Sequence, residues 1–238
     1  MDRRQLLIAG ATTGLAGATT LAAGEASAAP FGFNSTFTSN KLGWSNVYGN
    51  WMLRNGNLHC DGIPGYSTSV KHSNNYSDYM FQARMKRSGN YGGNAANRLI
   101  VRGNPSRLNS AMNWRPSYLF QYANAGWFSV WLITATGAET PVVGWTNLGY
   151  TLNNYVTISA YVAGDYLALG LNGIWVWSGY NSALSFGQVG MGFWTAPGYW
   201  GKLDVDYSRL GYATRTERPT VTFAGKPTPG GSVHEAPH

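Results

Sequence analysis

The feature of this sequence that most constrains its fold is the alternation of apolar and polar residues between positions 156 and 178. Apolar residues occupy every second position from Val156 to Val162 and again from Leu167 to Leu171, which is the period of a strand with one face against a core. Gly164-Asp165 and Asn172-Gly173 separate the three runs, and an Asn-Gly pair tolerates the positive φ angles of a tight hairpin. The segment therefore predicts a three-stranded antiparallel meander.

The rest of the chain carries the same period in shorter pieces, and hardly any stretch repeats apolar residues at helical spacing. Further strands are predicted at Trp51 to Cys60, Tyr79 to Lys86, Arg98 to Arg102, Tyr118 to Ala123, Phe128 to Thr134, Val142 to Thr146, Gln188 to Thr195 and Leu203 to Leu210. Many short strands with almost no helix predict an all-β domain, a two-sheet antiparallel β-sandwich. An up-and-down barrel is the alternative architecture.

The first 28 residues have the layout of a cleavable export signal. Arg3 and Arg4 precede an uncharged segment rich in Ala, Gly and Thr, and Ala26-Ser27-Ala28 has the small residues of a cleavage site. The paired arginines resemble the twin-arginine export signal. We expect cleavage after Ala28, export to the periplasm or the exterior, and no transmembrane anchor in the mature chain.

The composition changes after Tyr212, where prolines and a Gly-Gly pair replace the alternating pattern. Such a segment predicts a flexible tail. The chain therefore divides into a signal peptide (1–28), a β-sandwich domain (29–212) and a flexible tail (213–238). The single cysteine, Cys60, lies in a strand-like run, where a small buried apolar side chain is the expected role.

The charge of the chain is basic and uneven. The net charge is +7, and it is unchanged by removal of the leader, which carries two arginines and two acidic residues. Between Tyr79 and Ala138 there are seven Lys or Arg residues and no acidic residue. Such a patch favours an anionic partner, such as an acidic glycan, a wall polymer or lipid head groups. We do not expect nucleic acid, because no recognition-helix or single-strand stacking motif accompanies the charge. The alternative is that the arginines keep the surface soluble.

The order of several strand and turn segments resembles the concanavalin A-like lectin and glucanase superfamily, especially its laminin G-like and bacterial branches. These segments are Tyr118-Leu119-Phe120-Gln121-Tyr122, Gly126-Trp127-Phe128-Ser129-Val130, Trp145, Leu171-Asn172-Gly173, Gly187-Gln188-Val189-Gly190-Met191-Gly192 and Val205-Asp206-Tyr207. The resemblance spans most of residues 33 to 212 and implies a jelly-roll sandwich with a concave sheet. It does not by itself imply an activity.

The sequence shows no catalytic carboxylate cluster, and we assign no catalytic residue. Glycoside hydrolysis needs two carboxyl groups flanking one bond, whereas Glu139 stands alone in a predicted turn. Asp204 and Asp206 share one face of a strand, and Lys202 and Arg209 nearby favour an ion-paired structural role. No cofactor is expected. A structural calcium ion is left open, with Asp61, Asp78, Asp204 or Asp206 as ligands.

Aromatic residues are numerous, with ten Trp and fifteen Tyr, so some should lie outside the core. Alternation places several aromatic and basic side chains on outer sheet faces, where aromatic planes stack on sugars and guanidinium groups bind hydroxyls or carboxylates. The predicted ligand-binding residues are Trp131, Tyr166, Trp175, Trp177, Arg84, Lys86, Arg98 and Arg102. The alternatives are that the loops at 89–97 or 104–115 cover these side chains, or that another subunit does.

We therefore expect an exported lectin-like module that binds a carbohydrate or an anionic surface polymer. A divergent glycoside hydrolase or polysaccharide lyase is the second hypothesis, and it would need carboxylates, or a His and a Tyr, converging in one cleft. A structural surface protein is the third, and it would assemble through exposed sheet edges.

Overall fold

The computed structural model of the chain describes residues 32 to 237, so the predicted export signal lies outside the described residues. This range contains fifteen β-strands, and no helix within it is long and apolar enough to cross a bilayer. The strands are β1 (Phe33–Ser35), β2 (Trp44–Tyr48), β3 (Trp51–Arg54), β4 (Asn57–Asp61), β5 (Tyr66–Tyr76), β6 (Tyr79–Asn90), β7 (Ala96–Gly103), β8 (Ser117–Ala123), β9 (Trp127–Ile133), β10 (Glu139–Asn147), β11 (Val156–Ala163), β12 (Tyr166–Leu171), β13 (Ile174–Tyr180), β14 (Gly187–Thr195) and β15 (Trp200–Tyr212).

The strands form two antiparallel sheets that pack face to face. Sheet A has eight strands in the order β13-β12-β11-β6-β15-β4-β3, with β1 also paired to β15. Sheet B has seven strands in the order β10-β9-β8-β7-β14-β5-β2. Both sheets end in edge strands and neither closes on itself. The predicted two-sheet β-sandwich is therefore confirmed, and the barrel alternative is wrong.

The predicted meander is present as β11, β12 and β13. Asn172 and Gly173 turn the chain between β12 and β13 with φ angles of 50° and 83°. The run from Trp51 to Cys60, predicted as one strand, is instead the hairpin of β3 and β4. Asn55 and Gly56 turn it, also with positive φ angles of 50° and 74°, because these two residue types adopt that region at low cost.

The core lies between the two sheets. Phe81 and Leu169 face it from sheet A, Phe120 and Met191 face it from sheet B, and all four are fully buried. Cys60 is buried in the same cluster as a free thiol, which confirms its predicted role. Burying one large apolar side chain contributes about 1.5–3 kcal/mol, so this interior is the main source of stability.

The predicted tail lies against the sandwich, and residues 213 to 237 are called here the C-terminal segment. Its first part crosses the outer face of sheet A, where the hydroxyl of Tyr161 donates to the carbonyl of Thr214. Further on, the amide of Thr228 donates to the carbonyl of Trp145 on edge strand β10. The last residues lie across the outer face of sheet B. The flexibility of this segment stays a prediction.

Candidate functional site

The structure divides the eight predicted binding residues between the two outer faces and the interior. Arg84 and Lys86 lie partly exposed on the outer face of sheet A, and their cationic groups lie 4.6 Å and 5.8 Å from the ring centroid of Tyr155. Arg84 also donates to Asp206 at 2.6 Å. An exposed ion pair of this kind contributes little to stability.

Tyr166 and Trp175 lie on the same outer face of sheet A, but the C-terminal segment covers Tyr166. The Tyr166 side chain is buried, its hydroxyl donates to the carbonyl of Pro219, and Arg218 lies 4.9 Å from its ring centroid. Trp175 packs against the same cluster. The prediction that Tyr166 is an accessible platform is wrong, because this segment, and neither of the two loops considered, covers it.

Trp177 does not lie beside Trp175 on the outer face, as strict alternation predicts. A β-bulge breaks the register between β12 and β13, so that Leu169 pairs with Trp177 while Gly170 pairs with Trp175. Trp177 therefore packs against the core cluster that contains Leu169. This prediction is wrong because a bulge shifts the side chains that follow it to the opposite face.

Arg102 is also misplaced by the sequence prediction. Its side chain is 0% exposed, and its guanidinium donates to the carbonyls of Gly164 at 2.7 Å, Leu184 at 2.8 Å and Ser77 at 2.7 Å. Asp78 lies 3.3 Å away as its ionic partner. The hydrogen bonds of the guanidinium thus hold three loops together at one end of the sandwich. It presents no donor to a ligand at the surface.

The outer face of sheet B has a polar floor. Ser69, Gly192, Arg98, Gln121 and Ser129 are cross-strand neighbours on β5, β14, β7, β8 and β9. The four side chains of this row are all buried. A row of polar side chains across an outer sheet face can pair with the hydrogen-bonding groups of a polar ligand. An apolar ligand would leave the donors and acceptors of this row unpaired.

Arg98 is the charged member of this floor. It is buried, and it donates to Asn113 at 2.7 Å, to Ser67 at 3.2 Å and to the carbonyl of Val233 at 3.5 Å. Burial lowers the pKa of Arg98 to about 9, against the opposing effect of the Glu139 carboxylate. The sequence predicts Arg98 as an exposed ligand-binding residue. The structure buries it beneath Asn113 and Val233, so its predicted accessibility is wrong.

Trp131 lies on the same outer face, on β9 beside the edge strand β10. It is partly exposed, its indole Nε1 donates to Ser129 at 3.0 Å, and it packs against the clusters that contain Val233 and Ala236. Trp131 is thus the predicted aromatic residue that remains accessible on sheet B.

A cleft of about 600 Å³ opens on this face around Glu139. The Glu139 carboxylate accepts hydrogen bonds from the side-chain amides of Asn109 and Asn113, both at 3.2 Å. The side chain of Glu139 is 30% exposed. The lining residues are Leu108, Asn109, Ser110, Ala111, Arg115, Thr136, Gly137, Glu139 and His234. The cleft therefore presents amide, guanidinium and carboxylate groups within one volume.

His234, which lies in the predicted flexible tail, forms part of this cleft. Its Nε2 lies 3.7 Å from a carboxylate oxygen of Glu139, and its ring stacks on Trp194 with centroids 4.0 Å apart. Burial, assisted by the nearby charge of Arg98, lowers the pKa of His234 to about 3. The imidazole is therefore neutral near pH 7 and acts here as a flat, weakly polar ring.

The acidic residues proposed as calcium ligands are occupied by cationic or histidine partners. Asp204 lies 2.6 Å from His59 Nδ1, and Asp61 lies 3.5 Å from Nε2 of the same ring. Asp78 pairs with both Arg102 and Arg215. Among residues 32 to 237, no three His, Cys, Asp or Glu side chains group as a metal site.

In sequence, the chain matches no known family model and no curated protein. In structure, it is similar to carbohydrate-binding module CBM66 from Bacillus subtilis, with a TM-score of 0.51 and 19% identity over 74% of this chain and 96% of that one. A Bacillus licheniformis β-glucanase gives a TM-score of 0.57 and 15% identity over 76% and 98% of the two chains. A laminarinase from Flavobacterium sp. UMI-01 gives 0.54 and 12% over 75% and 98%.

At these identities the likeness establishes the fold and not the activity. The two antiparallel sheets and their order agree with it. The chain has a two-sheet jelly-roll β-sandwich fold like that of the glucanase structures.

Proposed function

We propose that this protein binds a carbohydrate chain non-covalently on the outer face of sheet B. The observation that carries the proposal is the cleft around Glu139, in which amides, a guanidinium and a carboxylate line one volume of about 600 Å³. Carbohydrate sites combine such hydrogen-bonding groups with an aromatic surface.

Trp131 supplies the aromatic surface next to the cleft. Glu139 pairs with Ile133 across β9 and β10, and Trp131 is two residues before Ile133 on the same strand face. Two residues of a strand span about 7 Å, which is of the order of one sugar ring. A ring stacked on Trp131 therefore has its neighbour within reach of Glu139 and the two asparagine amides.

The buried and paired cations favour a carbohydrate over an anionic surface polymer. Arg98 and Arg102 are buried, and Arg84 is paired with Asp206, so three residues of the predicted basic patch are not free to meet anionic groups. A hydroxyl-rich chain needs both donors and acceptors, which the cleft offers.

The number of carboxylates that line the cleft favours binding over hydrolysis. Glu139 is the single carboxylate among the described residues that line it, and glycoside hydrolysis in its usual form needs two. The fold shared with a carbohydrate-binding module and with glucanases supports a carbohydrate partner. The predicted export signal supports a site of action in the periplasm or outside the cell.

The experiment is a screen of the purified protein on an array of neutral and acidic oligosaccharides, followed by titration calorimetry. We expect Trp131→Ala to weaken binding by about tenfold, because one aromatic stacking contact is worth roughly 1.4 kcal/mol. Glu139→Gln, which keeps the shape but exchanges one acceptor for a donor, should weaken it as well. Trp175→Ala, on the opposite sheet, is the matched control and should bind like wild type. A folded Trp131→Ala variant with unchanged affinity would refute the placement of the site.

A further inference from the structure

The last residues of the C-terminal segment, 232 to 237, lie over part of the polar floor of sheet B and are called here the strap. The loop at 104–115 covers another part, where Trp114 donates to Ser69 at 2.8 Å and Asn113 accepts from Arg98 at 2.7 Å. The indole Nε1 of Trp145 donates to the carbonyl of Ser232 at 2.7 Å, and the amide of Ala96 donates to the carbonyl of His234 at 2.9 Å. Val233 is buried beneath this crossing. The strap thus accepts hydrogen bonds from the Trp145 side chain on β10 and from the backbone at the start of β7.

The strap also occupies the aromatic surface of this face. The ring of His234 lies parallel to Trp194, with an interplanar angle of 17° and centroids 4.0 Å apart. A sugar ring uses the same geometry on an indole, since its C–H face lies flat on the aromatic plane. His234 therefore fills the position that a stacked sugar would take.

The strap leaves some of the buried polar atoms beneath it without a hydrogen-bond partner. Within the described part of the chain, three buried side-chain atoms of this layer have no hydrogen-bond partner: Arg98 Nε, Gln121 Oε1 and His234 Nδ1. Arg98 and Gln121 are cross-strand neighbours, so their unpaired donor and acceptor face one region. Unpaired buried polar groups are destabilising, and a ligand with hydroxyl groups could pair with both.

The connection of the strap to the rest of the chain consists of two glycines whose conformation fixes its docked position. Gly230 and Gly231 precede it with φ angles of 99° and 77°, a region that other residues rarely adopt. A Cβ at position 231 would come within 2.7 Å of the Trp145 ring and 2.8 Å of the Glu235 carbonyl oxygen. The docked position thus depends on a glycine at 231.

We propose that the carbohydrate-binding face continues beneath the strap, with Arg98, Gln121 and Trp194 as its floor, and that the strap competes with the carbohydrate for this site. The inference rests on the proposed function and adds to it a covered subsite and an intramolecular competitor. The ligand it predicts is an extended chain that reaches from the open cleft at Glu139 into the covered strip, displacing the strap.

The test compares the full chain with a variant that ends at Pro229 and with Gly231→Ala, all on the same array of neutral and acidic oligosaccharides. Gly211→Ala is the matched control, since a Cβ there meets nothing within 4 Å. We expect the truncated chain and Gly231→Ala to bind the same oligosaccharides at least about tenfold more tightly than wild type. That factor corresponds to a strap docked more than roughly nine-tenths of the time.

A second variant tests the same inference with the strap retained. Ala95 and Glu235 are bridge partners, and the Cα atoms of such a pair lie at a separation that a disulfide can span. The double variant Ala95→Cys, Glu235→Cys should bind at least about tenfold more weakly when oxidised and recover on reduction. This comparison stays decisive where the truncated chain does not fold.

The outcomes separate the two proposals. Equal affinity of the full chain, the truncated chain and the oxidised double variant would overturn the strap inference and leave the proposed function standing. If no folded variant binds any oligosaccharide on the array, the proposed function is overturned, and the strap inference with it.

Discussion

The burial of Arg102 predicts a large structural effect where the sequence suggested a binding role. Its guanidinium donates to the carbonyls of Gly164, Leu184 and Ser77 and is completely buried. A hydrogen bond to a charged group contributes about 1.5–3 kcal/mol. Allowing for partial rehydration of the carbonyls, we expect Arg102→Ala to lower the free energy of unfolding by about 4 kcal/mol.

Arg102→Lys keeps one cationic group but loses the planar fork, so it should cost about 2 kcal/mol. The assay is urea unfolding followed by tryptophan fluorescence. Arg84→Ala, which breaks a pair whose side chains are 43% and 37% exposed, is the control and should cost less than about 1 kcal/mol. An Arg102→Ala variant within about 1 kcal/mol of wild type would refute this account of the residue.

Three further predictions follow from burial and protonation. Docking of the strap should weaken as the pH falls from 6.5, because burial of the docked His234, assisted by the charge of Arg98, lowers its pKa to about 3, and the undocked imidazole therefore takes up a proton more readily. By about pH 5 the docking equilibrium should fall by roughly 30-fold; carbohydrate affinity should then rise on acidification in wild type and not in His234→Ala, and a flat profile in wild type would contradict this. Burial raises the pKa of Cys60 to about 12, so a thiol reagent should react with it only after unfolding; rapid reaction of the native protein would contradict its placement. Trp177→Ala should lower the free energy of unfolding by about 2 kcal/mol without changing carbohydrate binding, whereas a selective loss of binding would restore its predicted role.

The strands with a clear two-residue period were predictable from sequence, and the long polar strand β5 was not. Strands β11 and β12 of the meander follow their pattern because one face packs on the core and a glycine turn ends each strand. β5, Tyr66–Tyr76, reads as a loop because serines, a threonine and asparagines occupy most of its positions. It is a strand because the C-terminal half of the sandwich supplies β14 as its partner over nearly its whole length.

The candidate site was only partly predictable, for physical reasons that differ between residues. Alternation places Trp131 correctly on an outer face, but it carries no sign of the bulge that turns Trp177 inward. Basic residues usually lie on surfaces, so sequence alone does not indicate that Arg98 and Arg102 are buried beneath later parts of the chain. The contacts of His234 have no periodic signal, because each residue of the strap meets a different strand or loop.

The measurement that tests the central claim most directly is the carbohydrate affinity of wild type, Trp131→Ala and Trp175→Ala, each verified as folded. The account predicts binding by wild type, about tenfold weaker binding by Trp131→Ala, and unchanged binding by Trp175→Ala. Loss of binding in Trp175→Ala with Trp131→Ala unaffected would contradict it and place the site on sheet A.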